Sequence, residues 1–223
     1  MTIHLQPTAE SAREIVDYSP STSIYRSSIK RVFDIVFVVC ILPVILPVIV
    51  IVGLFVALDG GNPFFVQRRV GKDGRVFNMI KLRSMVVDAE AKLLAHLAAD
   101  PAARREWDEK QKLSNDPRIT LVGRIIRKTS FDELPQFINV LLGDMSVVGP
   151  RPMMPSQREM YPGQAYYALK PGVTGFWQIG DRHATSFADR ARYDADYYRE
   201  MSLSTDIAVV LKTVRVVIRG TGA

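Results

Sequence analysis

The stretch IVFVVCILPVILPVIVIVGLFVAL, residues 35–58, contains no charged side chain. As a straight α-helix it would be about 36 Å long, which is enough to cross the hydrocarbon core of a bilayer. The run begins too late and is too long for a secretory signal, and no small-residue cleavage site follows it. The sequence therefore predicts a retained membrane segment.

Two prolines, Pro43 and Pro47, lie in the middle of this run. Each removes a backbone donor and clashes with the carbonyl four residues earlier, so a sharp bend is expected. Both flanks are basic, and such flanks favour the cytoplasmic side of a membrane. They carry Arg26, Lys30 and Arg31 before the run and Arg68, Arg69, Lys72 and Arg75 after it. A re-entrant hairpin bent at the prolines satisfies both observations, and a spanning helix remains the alternative.

The composition favours an anionic partner. The 223 residues include 29 Lys and Arg against 23 Asp and Glu, a net charge of +6. Nucleic acid, an acidic membrane surface and a phosphorylated substrate all fit that charge. No nucleic acid is expected, because Trp107 and Trp177 are not interleaved with basic residues in a stacking pattern. The single cysteine, Cys40, excludes an internal disulfide and is expected to be a small apolar side chain within the run.

The chain divides into a flexible tail at 1–27, a membrane segment at 28–58 and a cytoplasmic catalytic domain at 59–223. The fold class is α+β and mainly helical, with a re-entrant hairpin joined to a small α/β domain carrying interfacial amphipathic helices. A β-hairpin is predicted around Asp73-Gly74. Helices are predicted at 86–99, 102–112, 135–142, 187–201 and 206–219, and 149–180 is predicted to be mostly loop. The last helix has an apolar stripe that either packs in the core or lies on the membrane. Its members are Ile207, Val210, Leu211, Val214, Val217 and Ile218.

Asp132-Glu133 is the strongest candidate for chemistry. Ser130 and Glu133 have the spacing of a helix capping box, which is the structural alternative. Pro135 argues against it, because a helix capped by Ser130 would place this proline at its fifth position. Proline fits best at the first helical position, which leaves both carboxylates just outside the helix. One could then attack phosphorus while the other holds Mg²⁺.

Basic side chains on both sides of the carboxylate pair suit phosphate binding. Arg118, Arg124, Arg127 and Lys128 precede it, and Arg151 follows between two prolines. Arginine is well suited to bidentate phosphate contacts. Other catalytic patterns are absent from the sequence, including GxSxG, a Walker loop, GxGxxG and His/Cys metal spacing. Phosphoryl chemistry on a lipid is the leading hypothesis. A membrane-anchored adaptor and a lipid phosphatase are the alternatives.

Seven short motifs occur in order along the chain. They are Lys30-Arg31-x-Phe33-Asp34, Gln67-x-Arg69-x-Gly71, Lys81-x-Arg83-Ser84-Met85, Asn115-Asp116-Pro117-Arg118-Ile119-Thr120, Lys128-Thr129-Ser130-x-Asp132-Glu133-Leu134-Pro135-Gln136, Gly149-Pro150-Arg151-Pro152 and Lys170-Pro171-Gly172-Val173-Thr174-Gly175. Together they resemble the bacterial sugar transferases, the monotopic polyprenyl-phosphate phosphoglycosyl transferases, over about residues 28–219. The chain is similar to a minimal form without a preceding multi-span region. Leu82 and Leu42 depart from the usual Phe and Ser of the family motifs.

The resemblance implies a re-entrant helix-hairpin with both ends cytoplasmic at the bacterial inner membrane. It implies transfer of hexose 1-phosphate, with galactose or glucose favoured, from a UDP-sugar to undecaprenyl phosphate with release of UMP. Asp132 would be the nucleophile, and Glu133 would be the ligand of a Mg²⁺ cofactor. Substrate-binding roles then fall on Lys81, Arg83, Asp116, Arg118, Arg127, Lys128, Gln136, Arg151, Thr174 and Gln178.

Further expectations concern partners and products. Inner-membrane phospholipids are expected partners, and a homodimer is compatible with the resemblance. The helical pair between Met85 and Asn115 is similar to members that act in exopolysaccharide synthesis. Transfer of an N-acetylhexosamine 1-phosphate is the alternative within the same family.

Overall fold

A computed structural model describes residues 24–110, 113–180 and 186–218. Its first helix, α1, spans Lys30–Ala57 and continues directly from a π-helical turn at Tyr25–Ile29. Within the described residues, Tyr25–Ala57 is the one helical stretch that is long and apolar enough to cross a membrane. The helix runs through both prolines, so the predicted division into two hairpin arms is not confirmed.

One face of α1 packs on the rest of the protein at both ends. Val38 is fully buried near the first end, and Ile49 and Val56 are buried near the second. The opposite face is exposed and apolar, and includes Val44 and Leu54. Both ends of the membrane segment therefore contact the same domain, while an apolar face is left without a protein partner.

The domain consists of short helices around two small sheets. The helices are α2 Ala89–Ala99, α3 Pro101–Lys110, α4 Leu121–Lys128, α5 Gln136–Leu142, α6 Ala165–Ala168, α7 Phe176–Ile179, α8 Arg190–Glu200 and α9 Leu203–Ile218. The strands are β1 Phe64–Val70, β2 Val76–Leu82, β3 Ser146–Val148 and β4 Gly172–Thr174. This architecture agrees with the predicted mainly helical α+β class.

The two sheets have different origins in the sequence. β1 and β2 form the predicted antiparallel hairpin, in which Phe64 pairs with Leu82. Its turn places Asp73 and Gly74 at positive φ, 57° and 73°, as a hairpin turn of this type requires. β3 and β4 form a parallel pair. β4 lies within 149–180, which was predicted to be mostly loop, and β3 was not predicted. Their backbones approach so closely at Gly149 that a Cβ on this residue would lie only 2.3 Å from the Lys170 carbonyl oxygen.

A buried polar network ties α1 to the domain. Lys30 Nζ lies 2.6 Å from Asp206 Oδ2 and 3.3 Å from Asp34 Oδ1. Tyr25 and Tyr197 both donate to Asp206, at 2.5 and 2.8 Å. The predicted tail boundary at residue 27 therefore lies too late, since Tyr25 is already packed. Residues 1–23 lie outside the described range.

Asp34 connects the same network to the parallel sheet. Its Oδ1 accepts hydrogen bonds from Ser146 Oγ at 2.9 Å and from the Val147 amide at 3.0 Å. Lys30 and Asp34 are both almost completely buried. The motif that leads into the membrane segment is thus a structural anchor that fixes α1 to β3.

The last helix, α9, presents its apolar side chains mostly outward. Its inner face carries Asp206 and Val209, with Val210 and Thr213 partly buried. Four members of the predicted stripe are exposed instead: Ile207, Leu211, Val214 and Val217. A fifth, Val210, packs against the main core. Leu203 extends the exposed row by one turn. This arrangement disagrees with a core helix and agrees with the membrane-surface alternative.

Candidate active site

The carboxylate pair lies on a 3₁₀ turn, Phe131–Glu133, between α4 and α5. Ser130 adopts a left-handed conformation with φ 58° and makes no side-chain cap hydrogen bond, which excludes the capping-box alternative. Pro135 precedes α5 with helical torsions, as its fixed φ favours. Asp132 and Glu133 are therefore held on a tight turn just before a helix.

Glu133 lies between two cations. Its Oε1 is 2.9 Å from Lys81 Nζ and 3.8 Å from Arg151 Nη2. Lys81 is carried by β2, and Arg151 follows β3 in a proline-flanked loop. The structure thus brings together three predicted site residues that are up to 70 positions apart in the chain.

Asp132 combines burial with strong neighbouring charges. Burial raises the pKa of Asp132 to about 6, and the negative charge of Glu133 acts in the same direction. The cations Lys81 and Arg127 oppose that rise. Arg127 is held in place by a hydrogen bond from its Nε to Ser84 Oγ, 2.8 Å. Asp132 is consequently poorly solvated yet mostly ionised at pH 7.

Three arginines, Arg69, Arg151 and Arg190, lie close enough for their charges to interact, and Arg151 also lies near Glu133. Burial lowers the pKa values of Arg69 and Arg190 to about 10, and the charge of Arg151 adds to both shifts. The Arg190 guanidinium carbon lies 4.1 Å from the centre of the Trp177 ring, and that of Arg151 lies 5.5 Å away. Cations packed this closely favour an anionic ligand, since a diphosphate would relieve their repulsion.

Sequence reasoning missed three of these residues as part of the site. Arg69 had a signal, because it belongs to the Gln67-x-Arg69-x-Gly71 motif. Arg190 and Trp177 had none, because a helical arginine and a lone tryptophan are ordinary features of any sequence.

Two predicted glutamines line the pocket with Lys81 and Glu133. Gln136 is 2% exposed, and Gln178 is 9% exposed. Both amide atoms of Gln178 lack a hydrogen-bond partner among the described residues, as does Arg69 Nε. A buried amide without partners is costly in a folded protein. These atoms are therefore available to a polar ligand.

Other predicted residues lie elsewhere. Arg83 donates to both Asp59 oxygens and to the Val56 carbonyl, so it clamps the end of α1. Thr174 Oγ1 lies 2.7 Å from Thr213 Oγ1 and joins β4 to α9. Lys128 is exposed on the last turn of α4. The structure gives the first two a scaffolding role and does not bring Lys128 into the pocket.

Asp116 and Arg118 form an ion pair with each other, Oδ2 to Nη2 2.6 Å. The Arg118 guanidinium carbon also lies 5.1 Å from the Trp107 ring centre. Both charges act on Arg127, which in turn acts on Asp132. The pair therefore belongs to the surroundings of Asp132 and reaches it through Arg127.

The donor set suits a metal that is shared with a substrate. No group of three His, Cys, Asp or Glu side chains with metal-binding geometry occurs among the described residues. Mg²⁺ is commonly held by one or two carboxylates together with substrate phosphates and water. Asp132 and Glu133 beside a cationic pocket match that mode, and an all-protein cage is not present in the described part.

Comparison with known families identifies the family of this chain. The family model described as bacterial sugar transferase matches residues 25–220. The chain belongs to the bacterial sugar transferase family. The match covers α1, the carboxylate pair and the arginine pocket, by which we mean the pocket lined by Arg69 and Arg151 and the neighbouring Arg190.

Several relatives in this family are close in sequence. A protein of Erwinia amylovora named UDP-galactose-lipid carrier transferase is 48% identical over 197 residues, which cover 87% of this chain and 41% of the relative. The exopolysaccharide production protein ExoY of Sinorhizobium fredii is 39% identical, with 87% of both chains covered. The UDP-glucose:undecaprenyl-phosphate glucose-1-phosphate transferase of Escherichia coli is 40% identical over 197 residues, which cover 83% of this chain and 39% of the relative. The chain thus spans about two fifths of the length of several relatives and most of ExoY.

Proposed function

We propose that the protein transfers a hexose 1-phosphate from a UDP-sugar to undecaprenyl phosphate. The observation that carries the proposal is Asp132, a poorly solvated carboxylate whose charge interacts with Lys81 and Arg127. Its neighbour Glu133 lines a pocket together with Lys81, Arg69 and Arg151. An ionised carboxylate with little hydration is a suitable nucleophile, and the cations can bind the diphosphate of a sugar nucleotide. The names of the relatives supply undecaprenyl phosphate and the sugars as candidate substrates.

The reaction has two steps in this proposal. A carboxylate oxygen of Asp132 attacks the sugar-bearing β-phosphorus, the bond to the bridging oxygen breaks, and UMP leaves. An oxygen of undecaprenyl phosphate then attacks the same phosphorus, which releases Asp132 and gives the diphosphate-linked lipid. Lys81, Arg127 and Arg151 offset the negative charge on the transferring group.

Glu133 is the residue that we assign to Mg²⁺. When bound, the ion would supply further positive charge at the substrate phosphates. Lys81, at 2.9 Å, keeps the Glu133 carboxylate oriented toward the pocket. Gln178 supplies donors and acceptors for the substrate from buried amide atoms.

The membrane arrangement follows from α1 and the exposed apolar faces. We propose that α1 enters and leaves the inner membrane by its cytoplasmic side, because both of its ends contact one domain. Outward-facing Leu121, Ile125, Leu142 and Leu211 on α4, α5 and α9 support a domain that rests on the bilayer surface. The pocket would then lie near the headgroups, where the phosphate of undecaprenyl phosphate is found.

A screen of UMP release tests the proposal. Purified protein would be assayed with undecaprenyl phosphate, Mg²⁺ and UDP-galactose, UDP-glucose or the N-acetylated UDP-sugars. We expect UMP from galactose or glucose donors and a phosphosugar adduct on Asp132 by mass spectrometry. UMP only from N-acetylated donors would favour the alternative suggested by the Aeromonas hydrophila relative, which is named as an N-acetylgalactosaminephosphotransferase.

Two outcomes would contradict a transferase. Absence of UMP with every donor would favour a membrane-anchored adaptor. Release of inorganic phosphate from undecaprenyl phosphate without a sugar nucleotide would favour a lipid phosphatase that uses the same aspartate.

A further inference from the structure

A second cavity, of about 600 Å³, lies at the N-terminal end of α1. We call it the α1-base cavity. It shares no lining residue with the pocket around Glu133. Five cationic side chains line it: Arg26, Lys30, Arg31, Lys72 and Lys170. Two carboxylates, Asp34 and Asp73, line it as well, so positive charge predominates.

Ion pairs compensate only part of this positive charge, because Lys30 is paired with Asp206 and Asp34. Asp34 is already occupied by Lys30, Ser146 and the Val147 amide. Within the described residues, no carboxylate comes within ion-pair distance of Lys72 or Lys170. Lys72 and Lys170 are therefore cations of the cavity for which the described residues provide no ion-pair partner.

Arg31 and Lys170 both line the cavity, and their cationic groups lie close to the same residue, Gly143. An ideal Cβ on Gly143 would lie 3.6 Å from Arg31 Nη2 and 3.7 Å from Lys170 Nζ. Arg31 is fixed by hydrogen bonds to the carbonyls of Val140 and Leu141 at the end of α5. Burial lowers the pKa of Lys170, and the Arg31 charge lowers it further, while Asp34 and Asp144 act in the opposite direction. An anion between the two cations would stabilise both.

The remaining wall is largely apolar. Val148, Leu169, Tyr198 and Met201 contribute to it, and the Arg26 guanidinium carbon lies 4.0 Å from the centre of the Tyr198 ring. Arg31 lies one helical turn before the uncharged run that starts at Ile35. The cavity is therefore amphipathic and lies where the membrane segment begins, at the level expected for lipid headgroups.

We propose that the α1-base cavity binds the phosphate group of an anionic phospholipid, separately from the transferase substrates. The cations would bind the phosphate, and the apolar wall would contact the apolar group attached to it. The choice of a membrane lipid over a soluble phosphate rests on the membrane placement in the proposed function.

Native mass spectrometry of the full chain in detergent tests this site. The probes are dioctanoyl phosphatidylglycerol, dioctanoyl phosphatidylcholine and glycerol 1-phosphate. We expect one saturable phosphatidylglycerol adduct per chain. The double substitution Lys72→Gln with Lys170→Gln should weaken phosphatidylglycerol binding about 30-fold, since each lysine is expected to contribute roughly tenfold or less. The control Lys92→Gln with Arg105→Gln removes two exposed cations on α2 and α3 and should change it less than about twofold.

Three results would overturn the proposal. These are an unchanged adduct in the double variant, equal binding of phosphatidylcholine, and displacement by glycerol 1-phosphate at the same concentration as the lipid. The single variant Lys72→Gln removes an exposed side chain and provides a second test if the double variant fails to fold.

Flotation with phosphatidylcholine vesicles is measured in parallel. Protein that floats but shows no phosphatidylglycerol adduct contradicts this site alone. Protein that does not float contradicts the membrane placement, and UMP release reports on the transferase independently of both.

Discussion

At Asp132, burial and neighbouring charges act in opposite directions. Burial favours the neutral acid, whereas Lys81 and Arg127 favour the carboxylate, and the resulting pKa is about 6. The raised pKa means that the folded protein binds a proton more tightly than the unfolded chain does. The ionised side chain therefore lowers the free energy of unfolding at pH 7, which is typical of a group kept for chemistry.

Replacement of Asp132 separates activity from stability. Asp132→Asn should reduce UMP release at least about 10³-fold, because the amide is not a nucleophile. The same change should raise the free energy of unfolding by about 1 to 3 kcal/mol, because a desolvated charge is removed. Denaturant unfolding in detergent measures the second effect. The exposed control Asp108→Asn should change neither, and a destabilised Asp132→Asn would point to a structural role.

Activity should fall as the pH is lowered through about 6. A nucleophilic Asp132 must be ionised, so protonation below its pKa removes the reactive form. Asp194 is the competing explanation, because burial raises its pKa to about 7 and Tyr161 donates to it at 2.7 Å. The pH profile of the UMP release rate in Asp194→Asn distinguishes them. Loss of the acidic limb in that variant would assign the titration to Asp194.

Gln178 and Thr174 lie four residues apart, and substitution of Thr174 serves as the control for substitution of Gln178. Gln178→Leu should raise KM for the sugar nucleotide about tenfold, since the substrate loses hydrogen bonds to a buried amide. Thr174→Val should leave KM unchanged and lower stability by about 1 kcal/mol, because it breaks the bond to Thr213. Steady-state kinetics and thermal unfolding of both variants measure these effects. A raised KM in Thr174→Val would restore its predicted role in substrate binding.

At the level of elements, α1, α8 and α9 meet at one buried carboxylate, Asp206. This carboxylate is completely buried, accepts hydrogen bonds from Tyr25 and Tyr197, and forms an ion pair with Lys30. Removing one partner from a buried ion pair leaves an uncompensated charge, which typically costs about 3 to 5 kcal/mol. Packing of the membrane helix against the domain depends on this group.

Asp206→Asn should therefore destabilise the folded protein by about 3 to 5 kcal/mol. Tyr25→Phe removes one hydrogen bond and no charge, so it should cost only about 1 kcal/mol. Protease resistance of the linkage between α1 and the domain, together with denaturant unfolding, measures the difference. Equal effects of the two substitutions would show that the ion pair is not the stabilising part of the network.

Local signals explain which elements the sequence could predict. Asp73-Gly74 specifies its hairpin turn, and Pro135 places the start of α5, because both act within a few residues. The β3–β4 pair has three residues per strand, too few for a periodic pattern, so β3 was not predicted and β4 fell in a region predicted to be mostly loop. The orientation of α9 was open because apolar residues occupy more than one face. Burial of Asp206 against α1 decides the inner face, and that contact depends on tertiary packing.

For the molecule as a whole, the sequence predicted the membrane segment and the carboxylate pair but only part of the pocket. Lys81, Gln136, Arg151 and Gln178 meet as expected. Arg190 approaches Arg151 and Trp177 from a helix more than 50 residues beyond Asp132, and no local sequence pattern predicts this approach. Arg83 was assigned to substrate for its motif, whereas its contacts with Asp59 and Val56 hold the end of α1.

The proposed re-entrant arrangement of α1 can be tested by labelling cysteines placed on either side of the membrane segment. In a Cys40→Ser background, Ser28→Cys and Arg68→Cys place exposed thiols before and after the membrane segment. Both should react with an impermeant maleimide in inverted inner-membrane vesicles and neither in right-side-out vesicles. Labelling of the two positions from opposite sides would establish a spanning helix and contradict the re-entrant arrangement.

The bond between Tyr25 and Asp206 joins residues 181 positions apart. During synthesis, the apolar helix leaves the ribosome long before the carboxylate that locks its base. A nascent chain therefore has its hydrophobic segment available to the membrane while Lys30 still lacks its principal partner. Asp206 can fix the base of α1 only after residue 206 has been synthesised, so the order of translation makes the docking of this helix a late event.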